Sequence, residues 1–321
     1  MNAISETTVI VANKKSNGFV RDLIRNRTLY LMFLPVAALL FLFNYLPLAG
    51  LIIAFKNFSF DKGIFGSEWA KPLLGNFDYL LSSSAAFRAT RNTILLNALF
   101  ISVGLVFEVG LALLLNEVRS KVFKRITQSM TFLPFFISWI VVGVFAYNLL
   151  SYESGALNRL LEQLGLQPVD FYNEAYLWPL ILTVAIRWKV TGYGTIIYLA
   201  ALTGIDQSYY EAAAIDGASR WQQTRYISIP MLKPTIIILT LLAVGRIMNA
   251  DFGMFYAMVG DASPLFTTTD VIDTFVYRSL RQSGDIGMAS AAGFVQSLVA
   301  LVLVLTSNYI ARKIDRDSAI F

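Results

Sequence analysis

A chain of 321 residues would ordinarily make about two soluble domains at roughly 150 residues each, but 56% hydrophobic against 15% charged residues leaves more apolar surface than such domains can hide from water. With no cysteine and no histidine the chain can build no disulfide, no Ser-His-Asp or Cys-His catalytic set and none of the usual zinc sites, so no catalytic residue and no metal ligand is nominated. A net charge of +5 carried by scattered Lys and Arg suits a membrane protein that sorts its basic residues to one side better than it suits a nucleic-acid binder.

In chain order, residues 1–28 mix Ser, Thr, Asn and Lys without helical period and read as a tail. Six runs then supply the ~20 apolar residues that a helix needs to cross a bilayer core of about 30 Å. They cover 29–55, 92–116, 131–150, 176–202, 232–258 and 286–310. The runs are apolar nearly all round, unlike the striped helices of a soluble core. The first is too long for a removable signal and lacks its cleavage site. The chain therefore reads as an all-α, polytopic membrane protein of six transmembrane helices over 29–310, with a second tail at 311–321.

Between the runs, 56–91 carries Gly63, Gly66, Pro72, Gly75 and serines at 82–84 and reads as an external loop with some short structure, while 155–164 has the spacing of a surface helix. No repeat of fixed period and no inserted soluble domain is visible. Orientation follows the positive-inside bias. Lys14, Lys15, Arg21, Arg25 and Arg27, then Arg119, Lys121, Lys124 and Arg125, then Arg312, Lys313 and Arg316 fall on one side. The other side has Arg159, Arg278 and Arg281, with one dissenting segment holding Lys56, Lys62, Lys71, Arg88 and Arg91. Both termini are expected on the cytoplasmic side.

The cytoplasmic connector 206–230 is too patterned for a simple loop. Ser208 and Glu211 have capping-box spacing, three alanines favour helix, Gly217 suits a helix end, and Ser219 and Gln222 repeat the capping-box spacing. Two short helices joined by a turn at Gly217 follow, and the small face of Ala212, Ala213 and Ala214 would let a partner come close.

Glu211-Ala212-Ala213, three residues, Gly217, nine residues and Ile227-x-Ile229-Pro230 resemble the EAA loop of bacterial binding-protein-dependent ABC importer permeases, with Ile229 where Leu is usual. The stretches 45–56, 113–119 and 132–139 are similar to the oligosaccharide and polysaccharide branch, including alginate-type importer permeases. The resemblance implies the type I ABC importer transmembrane-domain fold. It also implies a coupling helix, made by Glu211, Ala212, Ala213 and Gly217, that sits in a groove of a separate ATPase, with Glu211 able to meet a basic residue there. Implied partners are a second permease subunit, an ATPase homodimer, an external solute-binding protein, an oligo- or polysaccharide substrate and membrane lipid, with no nucleic acid. The chain has no G-x4-G-K-[ST] loop, so it would bind no cofactor itself, and ATP and Mg would be held by the ATPase.

Five charges fall inside the runs, Glu108, Arg187, Lys189, Arg246 and Asp251. Each costs roughly 2.5–3.5 kcal/mol at a helix centre, which makes each a substrate-path candidate unless it merely pairs, as Glu108 with Lys189 or Asp251 with Arg246 would. The sequence Thr191-Gly192-Tyr193-Gly194 predicts a break in run four lining a cavity, with Arg187, Trp188, Lys189 and Tyr193 beside it. Three basic against two acidic groups favours an acidic sugar such as alginate. The 24 Phe and 15 Tyr are read as packing or lipid-facing residues rather than as a sugar platform. An ion-coupled secondary transporter using Glu108 and Asp251 is the rival function. A membrane-embedded enzyme would need a cluster of acids, bases or ligands that the isolated carboxylates do not supply.

Overall fold

The structure, a computed structural model, describes residues 25–314, so most of the expected amino-terminal tail and the end of the carboxyl tail lie outside the described residues. The chain divides into one unit ending at Ile52 and another from Ile53 onwards. In the first, α1 (Arg27–Leu40) carries Pro35 and continues through a π turn (Phe41–Tyr45) into a 3-10 stretch (Leu46–Phe55). Its side chains are exposed large apolar residues such as Leu31, Met32 and Phe43.

The second unit opens with a small antiparallel pair, β1 (Lys56–Asn57) and β2 (Glu68–Trp69), flanking α2 (Gly63–Gly66). After α3 (Gly75–Ser82), α4 (Ser84–Glu117) runs 34 residues, about 51 Å at 1.5 Å per residue, starting on the Ser83 cap. The loop expected over 56–91 thus already contains the first turns of the second membrane helix. The third run, expected over 131–150, starts only at the end of α5 (Lys121–Phe132), which takes in the basic segment before it, and continues through a 3-10 turn (Leu133–Phe136) into α6 (Trp139–Leu150), the whole bent by 95° rather than straight. The surface helix expected over 155–164 is α7 (Ala156–Gln163).

The fourth run is α8 (Trp178–Thr203), followed by α9 (Gln207–Ile215), α10 (Arg220–Gln223) and a π turn (Thr224–Ser228). The fifth divides into α11 (Ile229–Gly245) and α12 (Phe252–Met258). The short α13 (Phe266–Thr269) and the amphipathic α14 (Ile272–Ser283) lead to α15 (Ile286–Ile314). Five described helices are long and apolar enough to cross a membrane, six with the bent third run, in agreement with the six expected.

Helix α4 packs chiefly on α8, α6 on α12, and α11 on α15. Two apolar clusters hold α4 against α8. One gathers Leu96 and Phe100 with Trp178, Leu182, Met254 and Phe255, and the other gathers Ala112 and Leu115 with Tyr198, Leu202 and Leu232. The stretch between them, near residues 104–108 of α4 and 187–194 of α8, is left for polar groups.

The dissenting basic residues of 56–91 are mostly consumed locally. The buried Lys56 ammonium donates to the carbonyls of Ile64 (3.0 Å) and Phe65 (2.9 Å), and Lys62 pairs with Glu68 at 2.8 Å. Arg88 pairs with the buried Asp270 (3.5 Å), which Arg278 also binds, and Arg91 donates to Asn92 and the Thr267 carbonyl. A positive charge already neutralised or caged in this way contributes little to a count of free charge.

Candidate functional site

The connector folds as a helix–turn–helix, although its first cap differs from the expected one. Asp206, not Ser208, caps α9, its carboxylate accepting from the Ser208 N–H at 2.9 Å. That backbone hydrogen bond, then the Ser208 side chain, hold Asp206 below the ordinary carboxylate range. The Ser208–Glu211 box does not form, because the earlier Asp side chain reaches the free N–H groups first, and Glu211 is left exposed with no hydrogen bond among the described residues. The far end matches expectation. Gly217 has φ of 79°, Gly217 N–H donates to Ala214 and Ala218 N–H to Ala213, which together form a Schellman motif. Ser219 and Gln222 form the second capping box.

Two ties make this hairpin a stiff continuation of the membrane helices. Arg220 meets Glu117 at the end of α4 (3.7 Å), and the Tyr210 hydroxyl meets Ser228 at 2.9 Å. No residue of α9 is buried; Ala212, Ala214 and Ile215 face outward, Ile215 at 87% exposure. The alanine face and one protruding isoleucine are thus left uncovered.

The charges at membrane depth sort into two groups, and neither expected pair forms. Glu108 on α4 accepts from Arg187 on α8 at 2.9 Å, not from Lys189. Both side chains are largely buried, at 17% and 12% exposure, beside a cavity of about 230 Å³ that Asn97, Tyr198 and Thr240 also line. Two glycines make room for the pair: a Cβ on Gly104 would strike the Arg187 guanidinium, and one on Gly194 would strike the Glu108 carboxylate. The predicted break at 191–194 is therefore absent. Helix α8 is continuous, its Gly192 admitting the Thr131 backbone of α5 and its Gly194 admitting Glu108, so these glycines serve close packing rather than unwinding.

The breaks lie in the neighbouring runs. At the first, Pro134 and the extended residues Ile137 and Ser138 end one helix, and Ser138 caps α6. The buried Lys189 ammonium donates to the freed carbonyls of Phe135 (2.7 Å) and Ile137 and more distantly (3.4 Å) to that of Pro134, which Ile137 N–H also meets. It also sits over the Phe135 and Trp139 rings. At the second break, 246–251, Asn97 donates to the Ile247 carbonyl (2.8 Å) and Gln296 to that of Met248 (3.0 Å), while Asp273 accepts from Ala250 N–H (2.9 Å). Burial pushes the Asp273 carboxyl up, and the Ala250 N–H pulls it back. Non-helical backbone at this depth persists only where protein or a cavity satisfies it, and here named side chains do so.

Asp251 joins the two breaks. It caps α12 through Met254 N–H (3.2 Å) and accepts from the Trp139 indole at 2.6 Å, so it does not pair with Arg246. Arg246 ends α11, is exposed and makes no ion pair among the described residues. Tyr193 stacks on Phe135 with centroids 4.7 Å apart and planes at 9°. Lys189, Tyr193 and Asp251 are thus gathered around the breaks and Glu108 with Arg187 elsewhere, while Trp188 turns towards two apolar grooves of about 840 and 760 Å³. Sequence reasoning missed Asn97, Trp139, Asp273 and Gln296; the signal for Asn97 and Gln296 was an amide inside an otherwise apolar run.

Three comparisons bear on this arrangement. The family model described as binding-protein-dependent transport system inner membrane component matches residues 101–317. Protein LplB of Bacillus subtilis is 35% identical over 307 residues, 94% of each chain. The polygalacturonan/rhamnogalacturonan transport system permease protein YteP of Bacillus subtilis is 34% identical, covering 96% of this chain and 95% of its own. A chain in the crystal structure of a bacterial ABC transporter involved in the import of the acidic polysaccharide alginate superposes with a TM-score of 0.82 at 34% identity, over 92% of this chain and 99% of that one. A second structure, the alginate transporter in complex with an alginate pentasaccharide-bound periplasmic protein, also gives 0.82 at 33% identity, over 93% and 98%.

Proposed function

The chain belongs to the binding-protein-dependent transport system inner membrane components and is a carbohydrate permease of that family, and from this premise we propose how its parts act. The α9–α10 hairpin is the handle of a separate ATPase. Glu211, Ala212, Ala213 and Gly217 shape the docking face, with both chain termini on the same cytoplasmic side. A second permease chain completes the path, an ATPase homodimer holds ATP and Mg, and an external solute-binding protein delivers the sugar.

The observation that carries this reading is the hairpin whose first helix has no buried residue and which is tied to α4 through Arg220 and Glu117 and to the start of α11 through Tyr210 and Ser228. A push on α9 is thereby felt by two membrane helices at once. Ion coupling has little to work with, since Glu108 is held by Arg187 and Asp251 by Trp139 and its own helix cap. The sugar passes the two helix breaks, where Tyr193 offers a ring and Arg246 an unpaired guanidinium, and it is an acidic oligo- or polysaccharide. In support, YteP is named for polygalacturonan and rhamnogalacturonan transport and the structural neighbour for import of the acidic polysaccharide alginate, and guanidinium matches carboxylate in a two-pronged geometry.

The test is import into proteoliposomes holding the complete transporter, comparing uronate with neutral oligosaccharides of equal length. Preference for uronates, reduced to parity by Arg246→Gln, supports the proposal, and preference for the neutral sugar overturns its substrate half. Import that continues without any ATPase would overturn the coupling half.

A further inference from the structure

Beyond the two breaks, α12 has two faces of opposite character. Met254, Phe255 and Met258 are almost wholly buried and hold the helix against α6. The other face carries Phe252 and Tyr256, one turn apart, with ring centroids 5.3 Å apart and planes within 16°. Tyr277 of α14 stands edge-on to both, at 5.1 Å and 69° from Phe252 and at 5.5 Å and 84° from Tyr256. All three rings keep over a third of their surface open, at 36%, 42% and 36% exposure.

We propose that Phe252, Tyr256 and Tyr277 form an outer platform on which pyranose rings of the incoming sugar chain stack before they reach the helix breaks. This rests on the carbohydrate-permease reading. Three features favour a sugar over an acyl chain or a packed protein surface. An open ring presents a π face with negative potential, which suits the slightly positive C–H face of a pyranose. Two of the three rings are tyrosines, so hydroxyls lie beside the rings where sugar hydroxyls would be, whereas a lipid-facing surface has no use for them. The platform is also continuous with the site already described. Phe252 follows Asp251 directly, and beyond Tyr256 the surface ends at the exposed pair Arg281–Asp261, 4.0 Å apart. The stripe therefore leads from the solvent edge to the second break, and stacking does not depend on the charge of the sugar.

The experiment uses the complete transporter in proteoliposomes and measures import of neutral and uronate oligosaccharides by Phe252→Ala, Tyr256→Ala and Tyr277→Ala variants, with co-purification of the second permease as a check on assembly. Each lost ring is expected to slow import about tenfold for both sugars, the size of one aromatic contact, while the complex still assembles. Tyr256→Trp, which keeps a face, should restore import to within about twofold of the parent, and Arg246→Gln should affect uronates alone. Parental import rates in the alanine variants would overturn the platform. So would loss of the second permease from the alanine variants, which would make the rings a subunit contact. If the parent imports no saccharide at all, the carbohydrate reading fails and the platform with it, a result distinct from failure of the variants alone.

Discussion

Removing one member of the Glu108–Arg187 pair should destabilise the bundle far more than removing both. At 2.9 Å and an effective dielectric of about 20, the two charges attract by about 6 kcal/mol, a gross figure opposed by the cost of taking both out of water. Glu108→Gln keeps the shape but strands a guanidinium that is only 12% exposed and whose Nε already lacks a partner, a change expected to cost about 3–5 kcal/mol. Arg187→Met strands the carboxylate in the same way. The double variant Glu108→Met/Arg187→Met leaves no charge and fills the space with apolar atoms, so it should lie within about 1 kcal/mol of the parent. Thermal and denaturant unfolding of the purified chain, arranged as a double-mutant cycle with the Glu108→Met and Arg187→Met single variants, would give a coupling of at least about 2 kcal/mol. A coupling near zero, with both single variants as stable as the parent, would refute the claim that this pair pins α4 to α8.

Gly194→Ala should weaken the same contact without removing a charge, because its Cβ meets the Glu108 carboxylate; a loss of about 1–3 kcal/mol in unfolding experiments is expected, and none would mean that the two helices pack less closely. Gly217→Val forces a branched residue to φ of 79° and should cost at least about 1 kcal/mol locally, read as lost co-purification of the ATPase with the membrane part intact. Lys189→Met leaves the Phe135 and Ile137 carbonyls at the first break unpaired, and import should fall with increased protease sensitivity between α5 and α6. For Asp206, whose folded pKa lies below its ordinary 3.8, the stabilisation of α9 is present above that value and lost as pH falls through the lowered one. Hydrogen exchange at the first turn of α9 should therefore speed up on acidification in the parent and be fast at all pH values in Asp206→Ala.

Six membrane helices and the hairpin could be read from the sequence because long apolar runs and caps are local signals. Gly217, Ser219 and Gln222 lie close together in the chain, and the structure places them as their types dictate. The helix breaks were misplaced for the opposite reason. Gly192 and Gly194 look like helix breakers, yet what they admit is the backbone of Thr131 and the side chain of Glu108, both distant in sequence. Conversely, the break after Gly245 has no proline and is held open by Asn97, Asp273 and Gln296 from three other helices. The choice of Arg187 over Lys189 as partner for Glu108 is likewise tertiary: Lys189 points to the carbonyls left free by the bend at Pro134, two residues further along the same helix.

Because the chain has no cysteine, Ile215→Cys places a single thiol at a highly exposed point of the hairpin. The decisive measurement is where that thiol reacts in intact cells and in the assembled transporter. It should be silent to a membrane-impermeant maleimide added from outside and should crosslink to the ATPase subunit on the inside. Labelling from outside, or sustained import with no crosslink to any ATPase, would contradict the account.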